Sequence, residues 1–331
     1  MTGSHNDVAR EIAPASSSVY YTGHYWNDYR TVVRELNRRV SGRPDVAYRE
    51  YFHELVDGRR FERALFLNCG DGHVERGFLE AGLIRSGVGI DISEDLLASA
   101  REAARELPLS YVRLDVNQGV LLNQRYDLIV NNAAGHHVAY VDRVFRALCA
   151  ALTPDGFFVN SDYVGPHRNQ YPYEQWNACA EVNRGFPRNA RQVLRYPHLP
   201  TMLHVDPSEA VHSELLLETS ARYFTTESYR PMGGALAYLL LTHNLALQRL
   251  PPAEAEPVIA EALLADLAYL HDHPESTLFA FWYGRPKHAV LEDEQRLRQW
   301  ESEENAREER AHRNGGRYYP PSRLETPFPD S

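Results

Sequence analysis

The stretch RALFLNCGDGHVERGFLEAGLIRSGVGID, residues 63–91, determines the fold that the sequence predicts. It begins with a short apolar run that has the length of a buried strand, and this run breaks into a glycine turn over residues 68–73. A helix pattern follows, and a second apolar run ends on Asp91. Strand, glycine turn, helix, strand and acid form the first unit of a doubly wound sheet, which binds a nucleoside at the carboxyl ends of its strands.

The regular alternation of strands and helices continues to residue 162 and then lapses. We expect an α/β fold with a doubly wound, mostly parallel, seven-stranded sheet whose two late strands form an antiparallel pair. The turn composition of residues 153–156 predicts a turn before the fifth strand. The predicted regions are an N-terminal tail and helical lid (1–62), a nucleoside-binding core (63–162), an insertion that covers the acceptor (163–213), the completion of the sheet (214–286) and a charged C-terminal helix and tail (287–331).

Composition narrows the class of partner. The chain has 331 residues, a formal charge of −10 and 43% hydrophobic residues. This acidity argues against nucleic acid or an anionic membrane surface as a partner. The sequence contains no apolar run of about 18 residues and no apolar leader, so we expect no transmembrane helix and no signal peptide. Three cysteines without metal-ligand spacing predict a reducing cytoplasm and no metal site.

Three kinds of nucleoside ligand compete for the glycine loop. A phosphate loop requires Gly-Lys-Ser/Thr, which does not follow Gly72. A dinucleotide loop requires a third glycine, and Glu75 occupies that position, where a charged side chain disfavours pyrophosphate. S-adenosylmethionine carries no phosphate, and its ammonium group favours carboxylate and carbonyl acceptors. The loop therefore favours S-adenosylmethionine.

Four segments resemble, in order and spacing, the successive motifs of class I S-adenosylmethionine-dependent methyltransferases: Leu67–Gly72, Gly89–Ser93, Leu114–Val116 and Leu152–Gly156. The resemblance spans about residues 60–163. It implies that the loop holds the methionyl part, that the acids after the second and third strands bind ribose and adenine, and that the backbone after the fourth strand lines the methyl donor. The residues so implied are Asn68, Cys69, Gly70, Asp71, Gly72, Asp91, Ile92, Asp115, Val116, Asn131 and Asn132. One departure is Asn68, because the family usually begins this loop with an acid.

Two histidines follow the predicted fourth strand, where the resemblance places residues beside the methyl donor. We predict that His136 and His137 are catalytic and that His137 removes a proton from the acceptor. The alternative is that both histidines are hydrogen-bonded in the wall of the pocket.

An aromatic segment lies ahead of the glycine loop: Tyr20, Tyr21, Tyr25, Trp26 and Tyr29. It either packs its rings on the core or forms a lid over the cofactor and acceptor. Aromatic faces stabilise cations, so the lid and the 20 tyrosines of the chain favour C-methylation of a prenyl or terpenoid double bond through a carbocation, with possible cyclisation. In this interpretation Tyr21 is catalytic, and the acceptor contacts are Tyr25, Trp26, Tyr163, Arg168 and Tyr171.

The sequence is also compatible with other acceptors and with other types of S-adenosylmethionine-binding protein. Residues 163–171 and 206–210 resemble a broad group of bacterial methyltransferases, so O- or N-methylation of a sugar or phenolic metabolite is the alternative. A protein that binds S-adenosylmethionine without transferring its methyl group is a further alternative. The absence of an Asn/Asp-Pro-Pro-aromatic sequence after the fourth strand disfavours a nucleic-acid methyltransferase.

The C-terminal region is a highly charged helix pattern with few apolar positions. It is either a solvated helix or an arm exchanged with a neighbouring subunit, anchored by Leu297 and Trp300. The arm is weakly similar to that of teleocidin-type prenyl-indole C-methyltransferases. We therefore expect a homo-oligomer.

Overall fold

The computed structural model describes residues 24–117 and 125–313. It divides the chain into two compact units, Met1–Pro286 and Lys287–Ser331. Within the described residues, seven strands form one sheet: β1 (Ala64–Leu67), β2 (Gly87–Asp91), β3 (Leu109–Arg113), β4 (Tyr126–Asn132), β5 (Leu152–Tyr163), β6 (Phe224–Gly233) and β7 (Phe279–Pro286).

The strand order is β3-β2-β1-β4-β5-β7-β6. Strands β1 to β5 pair in parallel, and β7 runs antiparallel to both of its neighbours, β5 and β6. This confirms the predicted seven-stranded, mostly parallel α/β fold with an antiparallel late pair. The order reverses between β1 and β4, and such a switch point opens a crevice at the carboxyl ends of the strands.

Helices cover the sheet and link its strands. In the first unit they are α1 (Arg30–Ser41), α2 (Tyr48–Leu55), α3 (His73–Glu80), α4 (Glu94–Ala104), α5 (Val141–Ala151), α6 (Tyr173–Gly185), α7 (Leu199–Val205), α8 (Leu216–Tyr223), α9 (Ala237–Leu241), α10 (Leu245–Gln248) and α11 (Pro252–Asp272). The predicted cap of α4 is present, because Ser93 Oγ accepts a hydrogen bond from the amide of Leu96 at 3.5 Å.

The predicted turn over residues 153–156 lies inside a strand. Strand β5 begins at Leu152, which pairs with Tyr126, and the next paired residues are Phe157 and Leu128. Five positions of β5 therefore oppose two of β4, so the turn-forming residues are accommodated as an irregularity of the ladder. The composition correctly predicted irregular backbone at these residues. It did not show that the irregularity lies within a continuous strand.

The core contains two main apolar clusters in the first unit. One joins the sheet to α2, α3 and α4 through buried aromatic rings, with Phe52 and Phe61 stacked at a ring distance of 5.9 Å. The other surrounds Trp26 and joins α1, α6, α9 and α11. Fully burying each aromatic ring contributes about 1.5–3 kcal/mol. The N-terminal helices thus pack on the sheet that carries the glycine loop.

The region between β5 and β6 is helical and irregular, as predicted for the insertion. It contains α6, α7 and short 3₁₀ turns at His167–Asn169 and Ser213–Leu215. In the second unit the described part is helix α12 (His288–Arg313). Among the described residues, none of the helices combines the length and apolarity needed to cross a bilayer.

Candidate functional site at the carboxyl ends of the strands

The glycine loop turns sharply between β1 and α3. Asn68, Gly70 and Gly72 have φ values of 43°, 55° and 74°, which lie in the left-handed region. At Gly72 a side chain would collide with a neighbour, because its Cβ would lie 2.4 Å from the hydroxyl oxygen of Tyr111. Tyr111 therefore packs directly on the loop backbone, and this close approach requires glycine at position 72.

Asp91 lies at the end of β2 and is tied to this loop. One carboxylate oxygen accepts the amide of Gly70 at 2.9 Å, and the other accepts the amide of Ser93 at 2.8 Å. These bonds fix the carboxylate while leaving each oxygen a further lone pair. The side chain of Ile92 follows at the same strand end and is half-buried. Asp91 is therefore held where a nucleoside would meet the strand ends.

The segment after β3 carries the second predicted acid. Asp115 accepts the amide of Asn117 at 2.8 Å, and Val116 is buried. Asn117 in turn accepts the amide of Ala139 at 2.8 Å. This network joins the end of β3 to the segment after β4.

A buried acid lies beneath the glycine loop. Glu75 is fully buried in the first turn of α3, and no hydrogen bond of normal geometry from the described residues reaches either carboxylate oxygen. Burial raises the pKa of Glu75 to about 7, and the thiol of Cys69 is the polar group beside it. Burial, with Glu75 and Asp91 nearby, raises the pKa of Cys69, so this thiol is not an activated nucleophile.

Amide side chains connect the loop to the strand ends beside it. Asn68 donates to the carbonyl oxygen of Ala134 at 3.1 Å, and Tyr48 donates to Asn132 Oδ1 at 2.8 Å. Asp71, exposed on the loop, is bonded to His73, and these bonds lower its pKa although burial alone would raise it. Asn68, the position where the family has an acid, thus braces the loop against the segment that leads to His136.

The two predicted histidines lie in a 3₁₀ turn, Gly135–His137, after β4. His136 Nδ1 lies 2.6 Å from Asp162 Oδ1, and the ring centres of His136 and His137 are 4.1 Å apart. Asp162 is the penultimate residue of β5, the strand next to β4, so adjacent strand ends bring acid and imidazole together. Sequence reasoning did not assign Asp162 to the site.

Asp162 also organises the backbone of this turn. Its Oδ2 atom accepts from Asn131 Nδ2 at 2.8 Å and from the amides of Ala134 and Gly135 at 3.2 and 2.6 Å. The side chain of Asn131 is thereby directed to Asp162. Burial opposes the charge of Asp162, but His136 and these donors lower its pKa.

The insertion contributes a second acid to the histidines. Glu209 Oε2 lies 3.8 Å from His136 Nε2 and 3.9 Å from His137 Nε2. Burial lowers the pKa of His136, but Asp162 and Glu209 raise it to about 9. Burial and the neighbouring His136 lower the pKa of His137. The surroundings therefore favour the charged form of His136 more than that of His137.

Arg168, predicted to bind the acceptor, is buried against the segment that carries Glu209. Its Nη1 atom donates to the carbonyl oxygens of Pro207 and Glu209, the latter at 3.2 Å, and its amide donates to Ala210 at 2.7 Å. These bonds hold the loop on which Glu209 lies. The observed contacts of Arg168 are therefore contacts within the protein that position Glu209.

The charge of the same acid acts on four tyrosines, of which Tyr163 and Tyr171 are buried. After burial itself, the charge of Glu209 contributes to raising the pKa of Tyr25, Tyr163, Tyr171 and Tyr238. Tyr25 belongs to the aromatic N-terminal segment, and its ring lies 5.0 Å from that of His243. Tyr163 and Tyr171, also predicted acceptor contacts, belong to β5 and the insertion.

Trp26 packs in the core, which is one of the two alternatives that the sequence left for the aromatic segment. It is buried, its ring lies 5.2 Å from that of Phe279, and its amide donates to Thr242 Oγ1 at 3.2 Å. Its predicted role as an acceptor contact gains no support from these contacts. Tyr21, predicted to be catalytic, lies outside the described residues.

The residues at the strand ends fit a cationic nucleoside ligand. The loop backbone carries no side chain at Gly70 and Gly72, and Asp91 and Asp115 offer carboxylates to hydroxyl and amino donors. The buried Glu75 beneath the loop disfavours a pyrophosphate. These features agree with S-adenosylmethionine rather than a dinucleotide.

Comparison with known proteins leads to the same class. A family model described as a methyltransferase domain matches residues 65–158. An uncharacterized methyltransferase of Mycobacterium tuberculosis (strain ATCC 25618 / H37Rv) is 28% identical over 125 residues, which cover 36% of this chain and 61% of that protein. The malonyl-(acyl-carrier protein) O-methyltransferase of Acetivibrio thermocellus is 24% identical over 138 residues, which cover 40% of this chain and 48% of that protein.

Comparison with solved structures also gives matches to methyltransferases. An S-adenosylmethionine-dependent methyltransferase from Mesorhizobium loti aligns with a TM-score of 0.43 and 20% identity, over 68% of this chain and 91% of that one. The chain spans about three fifths of the length of the mycobacterial relative, 61%. The residues that match the family model, 65–158, include the glycine loop.

Proposed function

We propose that the chain is a class I S-adenosylmethionine-dependent methyltransferase that methylates a small-molecule acceptor bound beside His136, His137 and Glu209. The observation that carries this proposal is the position of the histidine cluster. It lies at the carboxyl ends of β4 and β5, next to the glycine loop after β1, to which Asn68 links it.

In this proposal the cofactor binds at the carboxyl ends of the first three strands. In this proposal residues 68–72 hold the methionyl part, Asp91 accepts the ribose hydroxyls, and Asp115 and Val116 bind the adenine with Ile92. Bound S-adenosylmethionine supplies a methyl group whose bond to sulfur breaks with both electrons left on sulfur, while the acceptor atom bonds to the carbon and releases a proton. The chain's task is therefore to hold donor and acceptor in line and to exclude water.

The polar character of the cluster favours an acceptor with an O–H or N–H group. Asp162, His136, His137 and Glu209 place two carboxylates and two imidazoles together. Such groups can orient a polar acceptor through hydrogen bonds. A carbocation formed beside them would be exposed to trapping by carboxylate or imidazole. We therefore favour O- or N-methylation of a hydroxylated or phenolic natural product.

C-methylation of a prenyl or terpenoid double bond is the second candidate. The observation that favours it is a group of packed tyrosines, with the rings of Tyr163 and the half-buried Tyr238 6.4 Å apart. Burial keeps these phenols protonated, so their faces could stabilise a cation without supplying a phenolate. In this candidate Tyr25 and Tyr171 complete an aromatic wall, and cyclisation could follow.

Calorimetry and labelled transfer test the proposal together. We expect S-adenosylmethionine to bind, and Asp91→Asn to weaken binding at least tenfold, because the carboxylate at the tip of β2 is lost. Asp95→Asn is the matched control, since Asp95 is exposed in the first turn of α4. Equal affinity of the Asp91 variant and the wild type would overturn the cofactor assignment.

The acceptor class is decided by transfer of an isotope-labelled methyl group, followed by mass spectrometry. Sugars and phenols are tested against prenylated indoles and isoprenoids. Label on oxygen or nitrogen supports the favoured candidate, whereas label on carbon supports the second. Cofactor binding without transfer to any acceptor would instead favour a protein that binds S-adenosylmethionine without using its methyl group.

A further inference from the structure

We propose that His136, His137 and Glu209 form a binding site for a divalent transition-metal cation, of which Zn²⁺ fits the ligands best. Each residue directs one ligand atom to a common region, and these atoms lie within 4.8 Å of one another. Two imidazoles with one carboxylate are a ligand set that binds zinc and related first-row cations. The sequence alone predicted no metal, because its cysteines lack ligand spacing.

The distances suit closure around a cation. Glu209 Oε2 lies 3.8 Å from His136 Nε2 and 3.9 Å from His137 Nε2. Ligand atoms bound at about 2.0–2.2 Å in tetrahedral geometry lie a little more than 3 Å apart. Small rotations of the three side chains therefore suffice to bind an ion.

Hydrogen bonds orient His136 as a ligand. Its Nδ1 atom lies 2.6 Å from the buried carboxylate of Asp162, which leaves Nε2 as the nitrogen that faces Glu209. A carboxylate behind a ligating imidazole fixes the ring and increases its basicity. Asp162 is thus a positioning residue for the first ligand.

His137 is oriented by a different partner. Ser208 Oγ donates to Asp206 at 2.7 Å and lies 3.1 Å from His137 Nδ1. Because the serine hydrogen is used toward Asp206, Nδ1 of His137 donates to Ser208, and Nε2 then carries the lone pair. The hydrogen-bond network therefore selects in His137 the same ligand nitrogen as in His136.

The third ligand is held against the histidines by the backbone. The amide of Val211 donates to the carbonyl oxygen of His136 at 3.0 Å, and Arg168 braces the carbonyl oxygen of Glu209 at 3.2 Å. These contacts join two segments that are far apart in the chain. They position the ligands before any ion binds, which reduces the cost of forming the site.

Exposure indicates where a fourth ligand would enter. The side chains of His136, His137 and Glu209 are 12%, 17% and 32% exposed, so the site is accessible from the Glu209 side. Catalytic zinc sites combine three protein ligands with one open position. A cation here would lower the pKa of an acceptor hydroxyl bound to it. That catalytic role rests on the proposed function, whereas cation binding does not.

A second cluster serves as an internal control. His167, His212 and Glu214 also bring three ligand atoms together, but their side chains are 40–47% exposed. The nearest His–Glu distances are 3.9 Å, as in the first cluster. The two clusters differ in two ways: the first is more buried, and in the first a carboxylate, that of Asp162, lies behind one histidine. Substitution of His212 therefore tests whether any binding is merely a surface property.

The test is a zinc titration of the whole chain without S-adenosylmethionine, read by a competing chromophoric chelator and by elemental analysis after dialysis. We expect about one Zn²⁺ per chain for the wild type and for His212→Ala. We expect Glu209→Gln and His137→Gln to weaken binding at least tenfold, and Asp162→Asn to weaken it about 10–100-fold. Wild-type zinc content well below one, or equal affinity of the Glu209 variant, would overturn the proposal.

A spectroscopic measurement covers the case in which a variant does not fold. Co²⁺ bound to the wild type is expected to show the visible absorption of a site with fewer than six ligands, including nitrogen. A weak six-coordinate spectrum, or loss of the signal in His212→Ala, would contradict the site. Asp91→Asn is expected to bind S-adenosylmethionine at least tenfold more weakly but to bind Zn²⁺ as the wild type does, so failure of one proposal can be distinguished from failure of the other.

Discussion

Glu75 shows how one residue distinguishes between ligands and also affects stability. In the sequence its charge at the third glycine position disfavoured a dinucleotide. In the structure it is fully buried beneath the loop, and its pKa is raised by burial to about 7. The sequence identified the unusual residue, but its burial and protonation depend on how α3 packs on the sheet.

This burial predicts a pH dependence of stability. The folded pKa of Glu75 lies above the unfolded value, so its contribution is fully present below about pH 4.3 and is lost as pH rises through about 7. Glu75→Gln should remove this loss. We expect the variant to be the more stable protein at pH 8, by on the order of 3 kcal/mol, and to lose the advantage toward pH 4.

Urea unfolding at several pH values from 5 to 8 measures this difference. Glu80→Gln is the matched control, because Glu80 is exposed at the end of the same helix. Parallel stability curves for the wild type and Glu75→Gln would show that Glu75 is not buried with a raised pKa.

At the scale of elements, Asp266 of α11 joins three parts of the fold. It is fully buried, its Oδ2 lies 2.7 Å from Arg39 of α1, and it accepts amides of Gly234, Leu236 and Ala237 at 3.1, 2.8 and 3.2 Å. These amides lead from β6 into α9. A buried acid thus caps one element and pairs with another.

We expect Asp266→Asn to destabilise the protein by about 3 kcal/mol, because the largely buried Arg39 then keeps only its pair with Glu35 and loses its fully buried partner. Thermal or urea unfolding measures the change. Glu181→Gln is the control, since its pair with Arg184 is more than 60% exposed and is worth well under about 1 kcal/mol. Similar losses in the two variants would contradict the role assigned to Asp266.

At the scale of the whole molecule, the C-terminal unit bears on whether the protein forms an oligomer. Helix α12 is rich in charge and includes local pairs such as Arg298 with Glu294 at 3.9 Å. Leu297 and Trp300, which the sequence analysis predicted to be anchors of the arm, are half-buried. Exchange of this arm between subunits of a homo-oligomer remains our proposal.

Deletion of residues 287–331 tests that proposal. If the arm is exchanged, light scattering should show a fall to a smaller assembly, because the anchoring side chains are lost. The double substitution Leu297→Ser and Trp300→Ser should have the same effect, while Arg296→Ser, an exposed neighbour, should not. An unchanged assembly after deletion would make α12 a solvated helix.

Much of the fold could be predicted because its signals are local. Apolar runs, glycine turns and caps such as Ser93 occur within a few residues, and their order predicted the strands from β1 to β7. The setting of residues 153–156 was missed, because a turn composition does not reveal whether neighbouring strands will pair across it. The sequence pattern also could not decide whether Trp26 packs in the core or contacts an acceptor, because both roles use an aromatic ring at the same position. In the structure its ring packs on Phe279.

The sequence by itself determined the α/β class, the glycine loop and Asp91, because these follow from short-range pattern and from the chemistry of single positions. Only the tertiary structure decided what surrounds the two histidines. Asp162 meets His136 because β5 lies beside β4, and Glu209 meets both histidines because the insertion folds back over the strand ends. Such contacts join residues far apart in the chain, so no local pattern carries them, and packing alone brings their charges together.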